Sequence, residues 1–93
     1  MRKSFGSEIC KLAKKDKKIY LLTGDIGYGI FDEFRSKFPK RFINLGICEQ
    51  SLIGFASGMA LEGLKPWVYT ITPFLIERPF EQIKLDIDQQ KAN

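Results

Sequence analysis

The chain has 93 residues, 44% of them hydrophobic and 28% charged, which suits one small globular domain and excludes a disordered chain. Its apolar stretches are far shorter than the ~20 residues needed to cross a membrane, and residues 1–6 lack the apolar segment of a secretory signal. We therefore expect a cytoplasmic protein without a membrane partner. The net charge of +4 comes largely from lysines between residues 11 and 18. Because no nucleic-acid motif accompanies them, we interpret them as the solvated end of a helix, and expect no nucleic-acid partner.

The first half of the chain predicts two helices and two strands in alternation. Apolar residues at helical spacing predict a helix over residues 4–15. The apolar run over residues 19–22 is typical of a buried strand in a parallel sheet, and a glycine-rich loop follows it. A short helix over residues 31–38 ends at Pro39, and residues 41–45 are predicted to form the second strand.

The second half continues this alternation. An almost uncharged helix over residues 49–62, predicted to be largely buried, precedes a third strand over residues 65–71. A last helix is predicted from about residue 74 or 76 to about residue 90. The pattern favours an α/β fold with three layers, a mostly parallel sheet with flanking helices. Because three strands leave an uncovered sheet edge and the chain ends where another strand is expected, we interpret residues 1–93 as an incomplete domain.

Candidate chemistry is concentrated in residues 44–50, which read Asn-Leu-Gly-Ile-Cys-Glu-Gln and join the second strand to the third helix. Ligands of parallel α/β sheets bind beyond the carboxyl ends of the strands, which is where Glu49 lies. Taken alone, Glu49 is explained by a favourable interaction with the helix N-terminus of ~0.3–1 kcal/mol. Because Ile47 and Cys48 precede it and an apolar helix follows, we expect its carboxylate to be desolvated and able to exchange a proton.

The remaining residue types limit the possible chemistry. The chain has no histidine, the commonest general acid–base residue and metal ligand, so its own chemistry must rely on carboxylates. We expect no metal site within the chain. Cys10 and Cys48 are too few for a disulfide framework, and both lie among apolar residues. We therefore predict two reduced cysteines buried in the core.

Residues 44–50, with the Gly- and Ala-rich helix after them, resemble the G-I-x-E-Q/H segment of the pyrimidine-binding domain of transketolases. They are similar to the same segment of 1-deoxyxylulose-5-phosphate synthases, and more loosely to the beta subunits of 2-oxo acid dehydrogenases. Residues 22–26 (Leu-Thr-Gly-Asp-Ile) resemble the end of the family's first strand, and residues 70–74 (Thr-Ile-Thr-Pro-Phe) its T-F-x-x-F region. The resemblance therefore identifies residues 1–93 as the N-terminal part of a pyrimidine-binding domain of transketolase type.

The resemblance implies a catalytic role for Glu49. In this family the matching glutamate hydrogen-bonds the N1′ nitrogen of the aminopyrimidine ring of thiamine diphosphate. That bond favours the imino form of the 4′-amino group, which then removes the C2 proton of the thiazolium. A carboxylic acid in a pocket of low dielectric suits this exchange of a proton with a weakly basic ring nitrogen.

The resemblance assigns five further residues to the cofactor pocket. Phe74 would stack on the pyrimidine ring, with plain core packing as the alternative, and Ile71 would occupy a further pocket position that is often aromatic in the family. Ile47 would line the pocket beside the ring, and Ile26 matches an apolar position near the thiazolium. Asp25 would help to fix its loop, or would simply close an Asx-type turn.

The resemblance also implies a partner. The diphosphate and its magnesium ion are held in this family by a separate domain with a G-D-G motif, which this chain lacks. We therefore expect a diphosphate-binding domain or subunit in a homo- or hetero-oligomer, and no catalysis by this chain alone. The implied enzyme transfers two-carbon ketol units between sugar phosphates. Gln50 agrees with the synthases and with split transketolases and leaves the donor substrate open. The alternative is a non-catalytic remnant or a protein-interaction module.

Overall fold

Helices and strands alternate along the chain in the computed structural model, which describes residues 2–27, 29–71, 75–88, 90 and 91. The elements are α1 (Arg2–Lys15), β1 (Ile19–Thr23), α2 (Asp32–Lys37), a 3-10 turn (Pro39–Arg41), β2 (Phe42–Asn44), α3 (Glu49–Leu61), β3 (Lys65–Tyr69) and α4 (Phe80–Gln82), continued by a π-helical segment (Ile83–Asp88). Within these ranges, no helix is both long and apolar enough to cross a membrane.

The three strands form one parallel sheet in the order β2-β1-β3. Thr23, the last residue of the central strand, lies in register with Asn44 of β2 and Tyr69 of β3. The carboxyl ends of all three strands therefore meet at one edge of the sheet, which we call the carboxyl edge. The predicted parallel sheet is confirmed.

Alternate residues of β1 point into two separate hydrophobic clusters. Leu21 packs with the cluster formed by α1 and α2, which includes Ile9 and Phe34. Leu22 packs on the other face with Leu52 of α3. Leu21 and Leu22 are both 0% exposed, and full burial of such a side chain contributes roughly 1.5–3 kcal/mol. The helices thus cover both faces of the sheet, and the predicted three-layer arrangement is confirmed.

The single helix predicted to run to about residue 90 is wrong. Of its two proposed starts, residue 74 lies outside the described residues and residue 76 is helical, but residues 77–79 form a turn. A helix begins again only at Phe80, with Pro79 at its N-cap position. The physical reason is the proline, which lacks an N–H and disfavours helical geometry in the residue before it.

Burial differs from the sequence prediction in two places. The described residues cover α3 with the sheet and with residues 80–88, but they leave part of its surface open, since Phe55 is 47% and Leu61 is 51% exposed. Cys10 is buried as predicted, and burial raises the pKa of its thiol. The prediction for Cys48 is wrong, since this side chain is exposed. It lies in the loop before α3, beyond the reach of the core that the sheet and helices form.

Candidate active site

The three loops that follow the strands meet around Gly24 at the carboxyl edge. A Cβ atom at this position would lie 3.3 Å from the carbonyl oxygen of Gly46 and 3.6 Å from Oγ1 of Thr70. A glycine allows this close approach of backbone because it has no side chain to displace. The residues after β1, β2 and β3 are therefore neighbours in space.

Asn44 ties two of these loops together through its side-chain amide. Its Oδ1 accepts hydrogen bonds from the backbone N–H groups of Asp25 and Gly46, both at 2.9 Å. Its Nδ2 donates to Oδ1 of Asp25 at 3.2 Å. These bonds hold Asp25 at a φ of 61°, a left-handed conformation that aspartate tolerates better than most residues. The structure thus places the predicted site residue Asp25 in a fixed loop, and adds Asn44, which the sequence interpretation did not select.

Glu49 is the first residue of α3, and only 4% of it is exposed. The N-cap residue, Cys48, makes no side-chain hydrogen bond to the helix end. The Glu49 carboxylate accepts a hydrogen bond at Oε1 from Nη1 of Arg78 at 3.2 Å. The positive end of the helix dipole and the guanidinium both stabilise a negative charge at this position.

The neighbour of Glu49 in sequence completes this contact. Nε2 of Gln50 donates to the backbone carbonyl oxygen of Arg78 at 3.3 Å. Glu49 and Gln50 therefore both bind Arg78, which lies in the turn over residues 77–79. Arg78 was not selected from the sequence, because nothing local to it indicates a partner 29 residues away.

Two predicted pocket residues present apolar surface at the carboxyl edge. Ile47 is 70% exposed and Ile71 is 48% exposed. They follow Gly46 and Thr70, which are the two residues in closest approach to Gly24. Exposed aliphatic side chains at the mouth of a site offer the kind of surface that a flat ring covers.

The two other predicted pocket residues have different outcomes. Ile26 is half-buried and lines a small cavity of about 30 Å³ together with Thr23 and Asn44. Phe74 lies outside the described residues. The structure thus brings Asp25, Ile47, Glu49 and Ile71 to the carboxyl edge, with Ile26 in the adjoining cavity.

Two buried hydroxyl groups lie at the ends of the central and third strands. Oγ1 of Thr23 and Oγ1 of Thr70 have no hydrogen-bond partner within the described part of the chain. A buried hydroxyl without a partner costs about 1–3 kcal/mol, and such groups call for a functional or structural explanation. Neither threonine was selected from the sequence. No three His, Cys, Asp or Glu side chains among the described residues are arranged to hold a metal ion.

Residues 1–93 match the family model described as the pyrimidine-binding domain of transketolase. The chain belongs to this family. The resemblance read from residues 44–50 is therefore confirmed. Among curated transketolase-type relatives, the 1-deoxy-D-xylulose-5-phosphate synthase of Oleidesulfovibrio alaskensis is 42% identical over 89 residues, covering 94% of this chain and 14% of the synthase.

Two further relatives support the same family. A protein of Rhodococcoides fascians, named as an uncharacterized 33.6 kDa protein in a fasciation locus, is 40% identical over 87 residues, covering 94% of this chain and 28% of the relative. A solved split gene transketolase, titled as an inactive beta4 tetramer, superposes with a TM-score of 0.80 at 34% identity. The match covers 91% of this chain and 29% of that one. The chain thus spans less than a third of each relative named here, and the transketolase fold of the domain is confirmed.

Proposed function

We propose that this chain is the part of a thiamine diphosphate-dependent, transketolase-like enzyme that binds the aminopyrimidine ring, with Glu49 as its catalytic residue. The observation that carries the proposal is a carboxylate, 4% exposed, in the first turn of α3 at the carboxyl edge of a parallel sheet. Family membership and the synthases among the relatives support it. The proposed reaction is transfer of a two-carbon ketol unit between sugar phosphates.

The residues at the carboxyl edge fit an aminopyrimidine ring. Glu49 offers a carboxylate, and its Oε2 receives no hydrogen bond from the described part of the chain. Ile47 and Ile71 offer exposed apolar surface, and Thr70 offers a buried hydroxyl without a partner among the described residues. A ring with apolar faces and polar edge atoms needs this combination of groups.

Each residue then has a distinct task. Glu49 would hold and exchange a proton at the N1′ position of the ring, while Ile47 and Ile71 would bind its faces and exclude water. Asp25 would fix the loop after β1, and Ile26 would line the pocket near the thiazolium. We assign ring stacking to Phe74 from the family pattern alone. Thiamine diphosphate, when bound, supplies the carbanion chemistry that no side chain of the chain can supply.

The proposal requires a second domain or subunit. The diphosphate and its magnesium ion would be bound outside this chain, in a homo- or hetero-oligomer, and residues 1–93 would be one part of a pyrimidine-binding domain. Strands β2 and β3 each pair on one side only within the described residues. Phe55 and Leu61 on the outer face of α3 are about half exposed. Open strand edges and exposed apolar side chains are surfaces that a partner covers.

The test is turnover of the complete enzyme with Glu49→Gln. We expect a loss of at least ~100-fold, because general acid–base groups contribute about 10²–10⁴-fold. Glu62→Gln is the matched control, since Glu62 is exposed at the other end of α3, and it should keep full activity. Wild-type-like turnover of Glu49→Gln would refute the catalytic role. A complete protein that binds no thiamine diphosphate would support the non-catalytic interaction module instead.

A further inference from the structure

We propose that Arg78 is a positioning residue for Glu49: it holds the carboxylate by Oε1 and thereby presents Oε2 to the ring nitrogen of the cofactor. The inference rests on the proposed function of Glu49. It adds a residue that the sequence pattern did not single out. The contact that suggests it is the hydrogen bond of 3.2 Å between Nη1 of Arg78 and Oε1 of Glu49.

The ion pair joins a buried partner to a half-exposed one. The Glu49 side chain is 5% exposed, and that of Arg78 is 49% exposed. The guanidinium therefore lies over the carboxylate from the solvent side, and it limits the directions from which another group can approach. Breaking a pair of this kind by removing one partner is costly because the other charge stays buried without compensation.

The backbone is held at Arg78 and at the residue that follows it. Its carbonyl oxygen accepts from Nε2 of Gln50 at 3.3 Å. The next residue, Pro79, is fully buried, and its carbonyl oxygen accepts from the N–H of Ile83 at 2.9 Å. Arg78 thus reaches Glu49 from a fixed backbone, which is what a positioning residue requires.

The geometry leaves one carboxylate oxygen for a ligand. An ionised carboxylate has two oxygens and about four lone-pair sites, and the hydrogen bond from Arg78 occupies a site on Oε1 only. Without Arg78, the Glu49 carboxylate can rotate about its terminal torsion, which is soft in glutamate. The bond to the ring nitrogen would then lose its preset direction.

The experiment compares two ligands of the complete enzyme, with its diphosphate-binding domain or subunit present. One is thiamine diphosphate, and the other is its analogue with carbon in place of the N1′ nitrogen. Calorimetry gives the ratio of the dissociation constant of the analogue to that of thiamine diphosphate. This ratio isolates the bond to N1′, because every other contact is common to both ligands.

We expect Arg78→Gln to weaken thiamine diphosphate binding by roughly tenfold and to leave analogue binding within about twofold. In Arg78→Lys the ratio should fall less than in Arg78→Gln, since lysine can still donate to Oε1. Lys11→Gln is the control. It removes the cation from an exposed ion pair with Glu8, at 3.3 Å on α1, and should leave both affinities unchanged.

The outcomes separate this inference from the proposed function. If Arg78→Gln weakens both ligands equally or neither, the positioning role is overturned. If Arg78→Gln does not fold, Arg78→Lys decides instead. A ratio equal to that of the wild-type enzyme then overturns the positioning role, and a lower ratio supports it. Glu49→Gln in the same assay tests the proposed function. An unchanged ratio there, or no binding of thiamine diphosphate to the wild-type enzyme, removes both.

Discussion

Two helical glycines should respond in opposite directions to the same substitution. Alanine is favoured over glycine in a helix interior by ~1 kcal/mol, so both changes start with the same gain. At Gly6 in α1, the new Cβ would lie 2.5 Å from the backbone oxygen of Ile30 and 3.2 Å from its Cγ2. At Gly58 in α3, no atom of the described residues lies within 4 Å of the new Cβ, apart from its chain neighbours and the backbone of the helix itself.

The contact at Gly6 makes the alanine substitution destabilising there. A backbone oxygen cannot move aside by a change of rotamer, so α1 must shift from the loop that holds Ile30. Overpacking of this kind costs ~1–3 kcal/mol, which cancels the helix gain and leaves a net loss of up to ~2 kcal/mol. Gly58→Ala keeps its gain of ~0.5–1 kcal/mol.

Urea denaturation followed by circular dichroism measures both variants against the wild-type chain. Thermal unfolding gives a second reading, since 1 kcal/mol shifts the midpoint of a domain of this size by roughly 4–8 °C. Gly58→Ala serves as the control for helix propensity. Equal stabilisation by the two substitutions would refute the close packing of α1 on the Ile30 loop.

Three other predictions concern the core, an ion pair and the cysteines. Leu52→Ala should lower the free energy of unfolding by ~2–5 kcal/mol in urea denaturation, because Leu52 is 0% exposed; a loss well below this range would mean that the α3 cluster is loosely packed. The hydrogen bond from Lys65 lowers the pKa of Asp16, so the pair stabilises the fold above the ordinary aspartate range and less as the pH falls below it. The stability difference between wild type and Asp16→Asn should disappear in acid, and a difference that persists there would contradict the assignment. A thiol reagent should label exposed Cys48 quickly and buried Cys10 only on unfolding, which mass spectrometry of partly labelled protein checks; rapid labelling of both would contradict it.

Local sequence was sufficient to predict most of the fold. The apolar run over residues 19–22 and the turn residues after it predicted the central strand, because a strand buried on both faces must be continuously apolar. The same logic misjudged α3. This helix is apolar on all sides, and the sequence alone does not say that the described residues cover the side facing Leu22 but leave Phe55 exposed.

The residues of the candidate site also divide into those that local sequence predicted and those that it did not. Glu49 and Asp25 were found because a loop at a strand end is a local feature, and short segments carry the family resemblance. Arg78 and Thr70 were missed because their importance depends on how distant segments meet, and neither a periodicity nor a turn signal encodes such a contact. Asn44 stood inside the segment that carried the resemblance. Its bond to the N–H of Gly46, two residues on, is the Asx-type turn that an asparagine before a glycine favours.

The error in the last helix and the contact at Glu49 have one cause. Pro79 interrupts helical geometry and creates the turn over residues 77–79. That turn brings the side chain of Arg78 to Glu49 and its carbonyl oxygen to Gln50. A helix without the break would continue past this point with its carbonyl groups directed along its own axis. Departures of a fold from local sequence preference are expected at functional sites, and here the departure occurs at the residue that binds the proposed catalytic carboxylate.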